Sequence, residues 1–280
     1  MDNLGPAIDV RPLFPRERAA LLDLLGSLGP DDWRAPTVCP GWDVHDLVAH
    51  LLNDQLRRLS GSRDGHAGPP FGAGETLPAY IHRVNGEFVR AARCASPRVM
   101  AELLGFLGPQ LDELWAGRPL DGQADLPVSW AQAEPADSTP VWLDMAREYT
   151  EYWVHQQQIR DAVGRPGADD PALMAPVLDT FARALPSALH GLTRPPGSSV
   201  VLEVTGPAGG RWAAVRGTGR WLLGAPPGAR PAAARVTLPQ DAFWRLATRG
   251  IPATEARGRA DVHGDPELVD AVTGLLAIVH

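Results

Sequence analysis

"EYTEYWVHQQQIRD", residues 148–161, decides how the rest of the chain is read. It contains neither Gly nor Pro, so nothing inside it interrupts a helix. Glu151 and His155 stand four residues apart, which puts them about 40° apart on one helical face. A solvated helix is more simply built with Glu and Lys at such a pair, and a helix in a core with neither. The apolar arc of the same helix runs through Trp142, Met145, Tyr149, Tyr152 and Trp153. On that projection His155 falls just outside the arc and Glu151 further round, so pattern alone lets both be solvated. Yet two helical side chains one turn apart are also a common way to grip a metal between helices. A third ligand must then come from elsewhere, and His50 in "GWDVHDLVAHLL" (41–52) is the other well-placed histidine. Two imidazoles and a carboxylate suit zinc, and three protein ligands leave a fourth position open for chemistry. The spacing equally describes a chance pair on a wet face, and His50 alone reads as an edge histidine as readily as a ligand.

Working outward, the first two-thirds of the chain read as helices. "FPRERAALLDLLGSL" (14–28) has apolar residues at helical spacing and stops near Gly29-Pro30. In "DVHDLVAHLLNDQLRRLS" (43–60), Val44, Leu47, Val48, Leu51 and Leu52 form one apolar stripe, with Asp43 as N-cap. Further helices are predicted over about 79–94, 98–116, 140–163 and 171–192. Two long Gly/Pro-rich segments, 61–78 and 117–140, read as loops, a length usually kept for function or disorder. Trp130 in the second is a candidate pocket wall. "TRPPGSS" (193–199) reads as a linker, after which the character changes. "SVVLEVTG", "RWAAVRG", "RWLLG", "ARVTLP" and "RADVHG" are short, partly alternating and bounded by Gly or Pro, which predicts strands. Residues 239–250 and 265–279 read as helices, the second with Asp265 as N-cap and Pro266 at its first position. The expectation is an all-α domain over 1–192 and a smaller α+β domain over 199–280.

Composition bounds the function. The 280 residues carry a net charge of −7 with pI about 5.6 and no long basic run, which argues against nucleic-acid or acidic-membrane partners. All 26 cationic residues are Arg; with 29 Gly and 28 Pro this fits a GC-rich bacterial genome. Cys39 and Cys94 form no CxxC pair and suggest no disulfide framework, so reduced thiols and a cytoplasmic location are expected. The N-terminus has no apolar core of a signal peptide, and no apolar run approaches the ~20 residues a membrane span needs.

"DDWRAPTVCPGWDVHDLVAHLL" and "EYTEYWVHQQQIRDAVGRP" together resemble the two motifs of the mycothiol-dependent maleylpyruvate isomerase family. That family belongs to the DinB-like four-helix-bundle superfamily. The resemblance covers most of 14–192. The part with "FWRLATRG" and "VHGDPEL" resembles the family's small α+β domain, itself similar to sterol-carrier-protein-like folds. The resemblance implies a divalent metal, usually zinc, held by the residues at His50, Glu151 and His155. It also implies an arginine from the C-terminal domain. Arg249 in "RLATRGI" is the best match, although Thr stands before it where the family has Gly; Arg257 and Arg259 compete. The implied activity is thiol chemistry, with mycothiol as the low-molecular-weight nucleophile in isomerisation or S-transfer on a small electrophile. Mycothiol is a thiol of actinobacterial cells, which agrees with the all-Arg composition. The site is expected where the two domains meet, in a monomer or homodimer. The alternatives are a binding or regulatory module with a structural or vestigial metal, a metal-dependent hydrolase, or a hydrophobic-ligand carrier.

Other residues near the motifs have readings of their own. Cys39 suits a small buried filler better than a fourth ligand. His45 projects about 140° from His50 and is expected to be exposed. Asp54 and Gln158 each stand near a ligand histidine, Asp54 as a candidate acceptor orienting His50, Gln158 within reach of a ligand.

Overall fold

The computed structural model describes residues 4–125, 139–225 and 231–277. Trp130 lies outside them. The described residues are mainly helical, with one small mixed sheet near the C-terminus, as expected. They form two compact units that alternate along the sequence.

The first unit takes in Asp9–Asp125 and Arg147–Ala168. Its helices are α1 (Phe14–Gly26), α2 (Val44–Arg58), α3 (Leu77–Ala92), α4 (Pro97–Ala116) and most of α5 (Val141–Ala162). Three begin on side-chain caps that the sequence supplies: Asp43 accepts from the Asp46 N–H, Thr76 from Ala79 and Ser96 from Val99. α2 packs on both α3 and α4, and α1 packs on α4. Phe14 joins three helices: its ring stacks on Trp115 of α4 at 6.5 Å and meets Tyr149 and Tyr152 of α5 edge-on at 5.5 and 6.2 Å. Beside this aromatic cluster lies a buried ion pair, Arg58 to Glu148 at 2.9 Å, with the Arg58 guanidinium 4.9 Å over the Trp115 ring. The long segment 61–78 is not entirely loop, because α2 runs directly into a π-helical turn, Leu59–Arg63.

α5 departs from the one-sided helix that its apolar arc implies. Between Arg147 and Arg160 only those two residues and Glu151 escape full burial. Gln156, Gln157 and Gln158 are all buried. Gln156 is satisfied by Glu17 of α1, donating to its carboxylate at 2.7 Å, and it accepts from Arg160 at 3.0 Å.

The second unit is built from Asp169 onward, with the start of α5 and the N-terminal segment. The helix predicted over 171–192 is two: α6 (Pro171–Ala182) and one turn, α7 (Leu185–Ala188). Pro186 explains the break, since its ring would meet the Ala182 carbonyl and it has no N–H to donate. Five strands follow the predicted segments: β1 (Ser199–Thr205), β2 (Gly210–Arg216), β3 (Trp221–Gly224), β4 (Ala234–Pro239) and β5 (Asp261–Gly264). Their order is β3-β2-β1-β4-β5, antiparallel throughout except for the β1–β4 pair. Central β1 is buried at five of its seven residues, whereas β4 alternates, with Ala234, Val236 and Leu238 inward. α8 (Gln240–Ala247), α9 (Ala253–Arg259) and α10 (Pro266–Thr273) complete the unit. α9 is absent from the sequence reading because its seven residues include Gly258 and bury only Ala256, so no apolar stripe announces it. α10 stops at Gly274 instead of continuing to 279.

Glu17, 1% exposed, makes the stability of the first unit pH-dependent. Burial raises its carboxyl from about 4.5 to about 7, against the Gln156 hydrogen bond, which favours the anion. The folded protein therefore keeps a proton that the unfolded chain has already lost. The stability contributed by Glu17 is complete below about pH 4.5 and is lost as pH rises through about 7. That difference corresponds to about 3 kcal/mol. Glu17→Gln, which cannot ionise, should raise unfolding free energy at pH 8 by this order and change it little at pH 4. Urea unfolding at the two pH values checks this; an equal effect at both would refute it.

Candidate metal centre

α2 and α5 bring the three predicted ligands together. One donor atom each from His50, Glu151 and His155 lies within 4.8 Å of the others. The imidazole centroids are 4.8 Å apart, with the rings almost perpendicular at 88°. His50 is 7% exposed and His155 is 9% exposed, while the Glu151 side chain keeps 37% of its surface. The cluster is thus buried on the histidine side and open beside the carboxylate. The arc that leaves His155 solvated is corrected here, since α5 is enclosed on both flanks of that arc.

Hydrogen bonding around His155 fixes its chemistry. Its Nδ1 lies 2.7 Å from the side-chain carbonyl oxygen of Gln158, which can only accept, so Nδ1 carries the proton. Its Nε2 then faces Glu151 Oε2 at 3.2 Å. In the neutral tautomer those two atoms are both acceptors, and they need a positive charge between them. Burial opposes charge on His155, but bonding to Cys39 and Glu151 outweighs it and lifts the imidazole to about 10. Burial likewise works against the Glu151 anion, but the bond and charge of His155 hold it down at about 2. His50 behaves in the opposite way: burial first, then the charge of His155, pushes it down to about 3, so it is a neutral donor. One of its ring nitrogens, Nδ1, is buried without a hydrogen-bond partner, while Nε2 lies 3.5 Å from Asp54. A neutral imidazole with a spare nitrogen, a second imidazole of fixed tautomer and an anion constitute a donor set that fits a divalent cation.

The turn before α2 braces both histidines. Trp42 N–H closes it by donating to the Cys39 carbonyl at 3.1 Å, and Thr37 Oγ1 donates to the Trp42 carbonyl at 2.8 Å. Gly41 sits at φ 78°, a conformation that a side chain at this position would disfavour. The turn sets Trp42 against His50, ring centroids 5.4 Å apart. It also brings Cys39 Sγ to the Gln158 carbonyl at 3.4 Å. Cys39 is half-buried and free; it bonds both Gln158 and His155 and is not one of the three donors. The expected neighbours Asp54 and Gln158 both reach the two histidines, His50 and His155 respectively.

His45 is half-buried rather than exposed, with Nε2 3.0 Å from the Ala95 carbonyl and its ring edge-on to Trp33. A second acidic group, Asp43, His45 and Asp46, shares its neighbourhood. Asp43 there caps α2 and Asp46 pairs bidentately with Arg93 at 2.9 and 2.8 Å, so both carboxylates have structural work.

Within its own unit Arg249 occupies an unusual position. It follows α8 with φ 60°, the only positive φ outside glycine among the described residues. The Gly250 N–H donates to the Arg245 carbonyl at 2.7 Å and the Arg249 N–H to the Leu246 carbonyl at 3.1 Å, the two bonds of a Schellman cap. Glycine is the favoured residue where Arg249 stands. Its side chain is exposed, and among the described residues its guanidinium has no carboxylate partner. Arg257 lies 3.9 Å from Asp270, and Arg259 pairs with Glu255 and Asp241.

Comparison with known proteins identifies the family. Residues 14–160, more than half of the chain, match the model of the mycothiol maleylpyruvate isomerase N-terminal domain family. A crystal structure of the mycothiol-dependent maleylpyruvate isomerase is similar at TM-score 0.52 and 14% identity, over 86% of this chain and 88% of that one. A histidine-to-alanine mutant of that isomerase is similar at the same TM-score and identity, over 92% and 93%. At such identity these likenesses show the fold. No curated protein matches the chain significantly.

His155→Ala should weaken zinc binding by more than about 100-fold, beyond the cost of losing a supporting hydrogen bond. His45→Ala should leave about one metal ion per chain. Elemental analysis after zinc loading and desalting measures both, and equal loss in the two variants would show that the donor set is misassigned.

Proposed function

This chain belongs to the mycothiol maleylpyruvate isomerase family, and on that premise we propose that it is a metal-dependent enzyme using mycothiol as nucleophile. The substrate class is a small electrophile that also carries an anionic group. The observation that carries the reading is the convergence of His50, Glu151 and His155 on one partly open point. Zinc is the ion best suited to two imidazoles and one carboxylate. When bound, a divalent ion supplies positive charge that lowers the pKa of a neighbouring thiol, so that a thiolate forms near neutral pH.

The chain's own residues set the conditions for that chemistry. Burial keeps His50 neutral, so it offers a lone pair instead of a competing proton. Gln158 holds the proton of His155 at Nδ1. Trp42 packs against His50 and limits water on that side. Arg249 is assigned to the anionic group of the substrate, because a planar guanidinium binds carboxylate or enolate oxygens bidentately. The backbone supports this assignment. A left-handed arginine at a cap that glycine would fill with less strain implies selection for the side chain.

Two experiments test the proposal. Protein incubated with mycothiol and a panel of electrophiles should yield thiol adducts or isomerised product, followed by mass spectrometry, and a chelator should suppress them. Conversion that is indifferent to chelator, or absent throughout the panel, would remove the reading. Arg249→Gly should leave stability unchanged or raise it by up to about 1 kcal/mol, since glycine accepts the left-handed cap. The same change should lower kcat/KM for an anionic substrate roughly 10- to 150-fold, the worth of a charge-assisted hydrogen bond at about 1.5–3 kcal/mol. A variant that is more stable and fully active would show that Arg249 serves neither purpose.

A further inference from the structure

We propose that Gln158 is a positioning residue for His155, and that the Cys39 thiol determines which end of the Gln158 amide faces the imidazole. The inference rests on the metal reading above, and extends it to two residues that are not ligands.

An imidazole can ligate through either nitrogen, but the nitrogen that ligates must be free of its proton. Nε2 of His155 is the one beside Glu151, at 3.2 Å. It can join Glu151 on a cation only while the proton resides on Nδ1. Gln158 stands 2.7 Å from Nδ1 with its carbonyl oxygen, which accepts and cannot donate. Were the amide turned over, its NH2 would face Nδ1, draw the lone pair there and leave the proton on Nε2. The site would then lose one of its three donors without the loss of any ligand residue.

The orientation of that amide therefore matters, and a second contact acts on it. Cys39 Sγ lies 3.4 Å from the same carbonyl oxygen. A thiol is a weak donor, and its hydrogen reinforces the oxygen-inward orientation. Gln158 is 6% exposed, so water offers the turned-over amide little compensation. Gln156 and Gln157, its neighbours on α5, are used elsewhere: Gln156 bonds Glu17, and Gln157 accepts from the Ala168 N–H at 2.9 Å. Only the third of the three glutamines lies three residues after His155, the helical spacing that reaches its ring.

The experiment measures zinc affinity by chelator competition, alongside 15N spectra of imidazole-labelled protein. In the zinc-loaded wild type, Nδ1 of His155 should give the protonated signal and Nε2 the metal-bound one. Gln158→Met, similar in volume but without the acceptor, should weaken zinc binding about 10- to 100-fold. Gln158→Glu, which keeps an acceptor toward Nδ1, should retain wild-type affinity to within a few-fold. Cys39→Ala should weaken binding less than Gln158→Met does, and Cys39→Ser, which restores a donor, should recover it. Wild-type affinity and an unchanged Nδ1 signal in Gln158→Met would overturn the proposal. If Gln158→Met fails to fold, the Cys39→Ala and Cys39→Ser pair decides: equal affinity in both overturns the role given to the thiol. Failure of the metal reading itself would appear differently, as a wild type that takes up no zinc. In that case the metal-free spectra still test the bond, because a slowly exchanging Nδ1–H in wild type must be lost in Gln158→Met.

Discussion

The centre depends on one electrostatic confrontation: an imidazole nitrogen and a carboxylate oxygen 3.2 Å apart, with the other imidazole nitrogen already committed as a donor. Two acceptors at that distance in a largely buried site repel unless a proton or a cation lies between them. The protein satisfies the demand with a proton when it has nothing else, which is why His155 is lifted to about 10 and Glu151 held at about 2. A divalent cation meets the same demand with twice the charge. His50, pushed down to about 3, contributes no competing proton and adds a lone pair. The three groups are therefore tuned apart by their surroundings: one neutral, one whose Nε2 proton a cation would displace to solvent, one anionic.

That tuning requires α5 to be enclosed, and the enclosure explains why so much polar chemistry lies inside this unit. A helix buried on most of its circumference cannot be apolar all round and still carry ligands. Its polar side chains must find partners within the protein. Glu148 pairs with Arg58, Gln156 with Glu17 and Arg160, and Gln157 with a backbone N–H. The bonds to Arg58, Glu17 and Ala168 each join α5 to a different part of its unit, so the helix is located by directional bonds as well as by the Phe14 cluster. Rigid placement of the helix in turn fixes the direction of His155, as a site of sub-ångström tolerance needs.

Helix periodicity made α2 and α5 legible, and the four-residue step from Glu151 to His155 put both on one face. It could not show that the face was enclosed. A projection that recognises only apolar residues as interior puts His155 at the rim and overlooks Gln156, Gln157 and Gln158, because buried glutamines look solvated until their partners are known. The signal available was the run itself: three consecutive glutamines behind His155, where a wet helix would carry charges. His50 was legible as a candidate third donor from its place on α2, although its own stripe gives only an edge position; the resemblance to a family singled it out. Arg249 was proposed from the resemblance alone, and its left-handed backbone has no trace in the sequence beyond the glycine that follows it. α9 was illegible for want of a stripe, and the break after Ala182 was legible in retrospect from Pro186.

The segment between Pro36 and His50 gathers these threads. A bridge between Pro36 and Asp43 and the bond from Val44 N–H to the Ala35 carbonyl tie the turn to the start of α2. Asp43 then caps that helix, and His50 follows two turns later. One short stretch thus supplies His50, the Trp42 ring that packs on it, and the Cys39 thiol that reaches the amide beside the other histidine. Loop-closure entropy within so short a segment is small, and most of it is met by backbone hydrogen bonds that form locally. The consequence is that α5 need bring only its own side chains to a half-site that α2 and its turn have already organised. Two histidines distant in sequence are aligned by one turn, which is why a motif of so few residues can specify the centre.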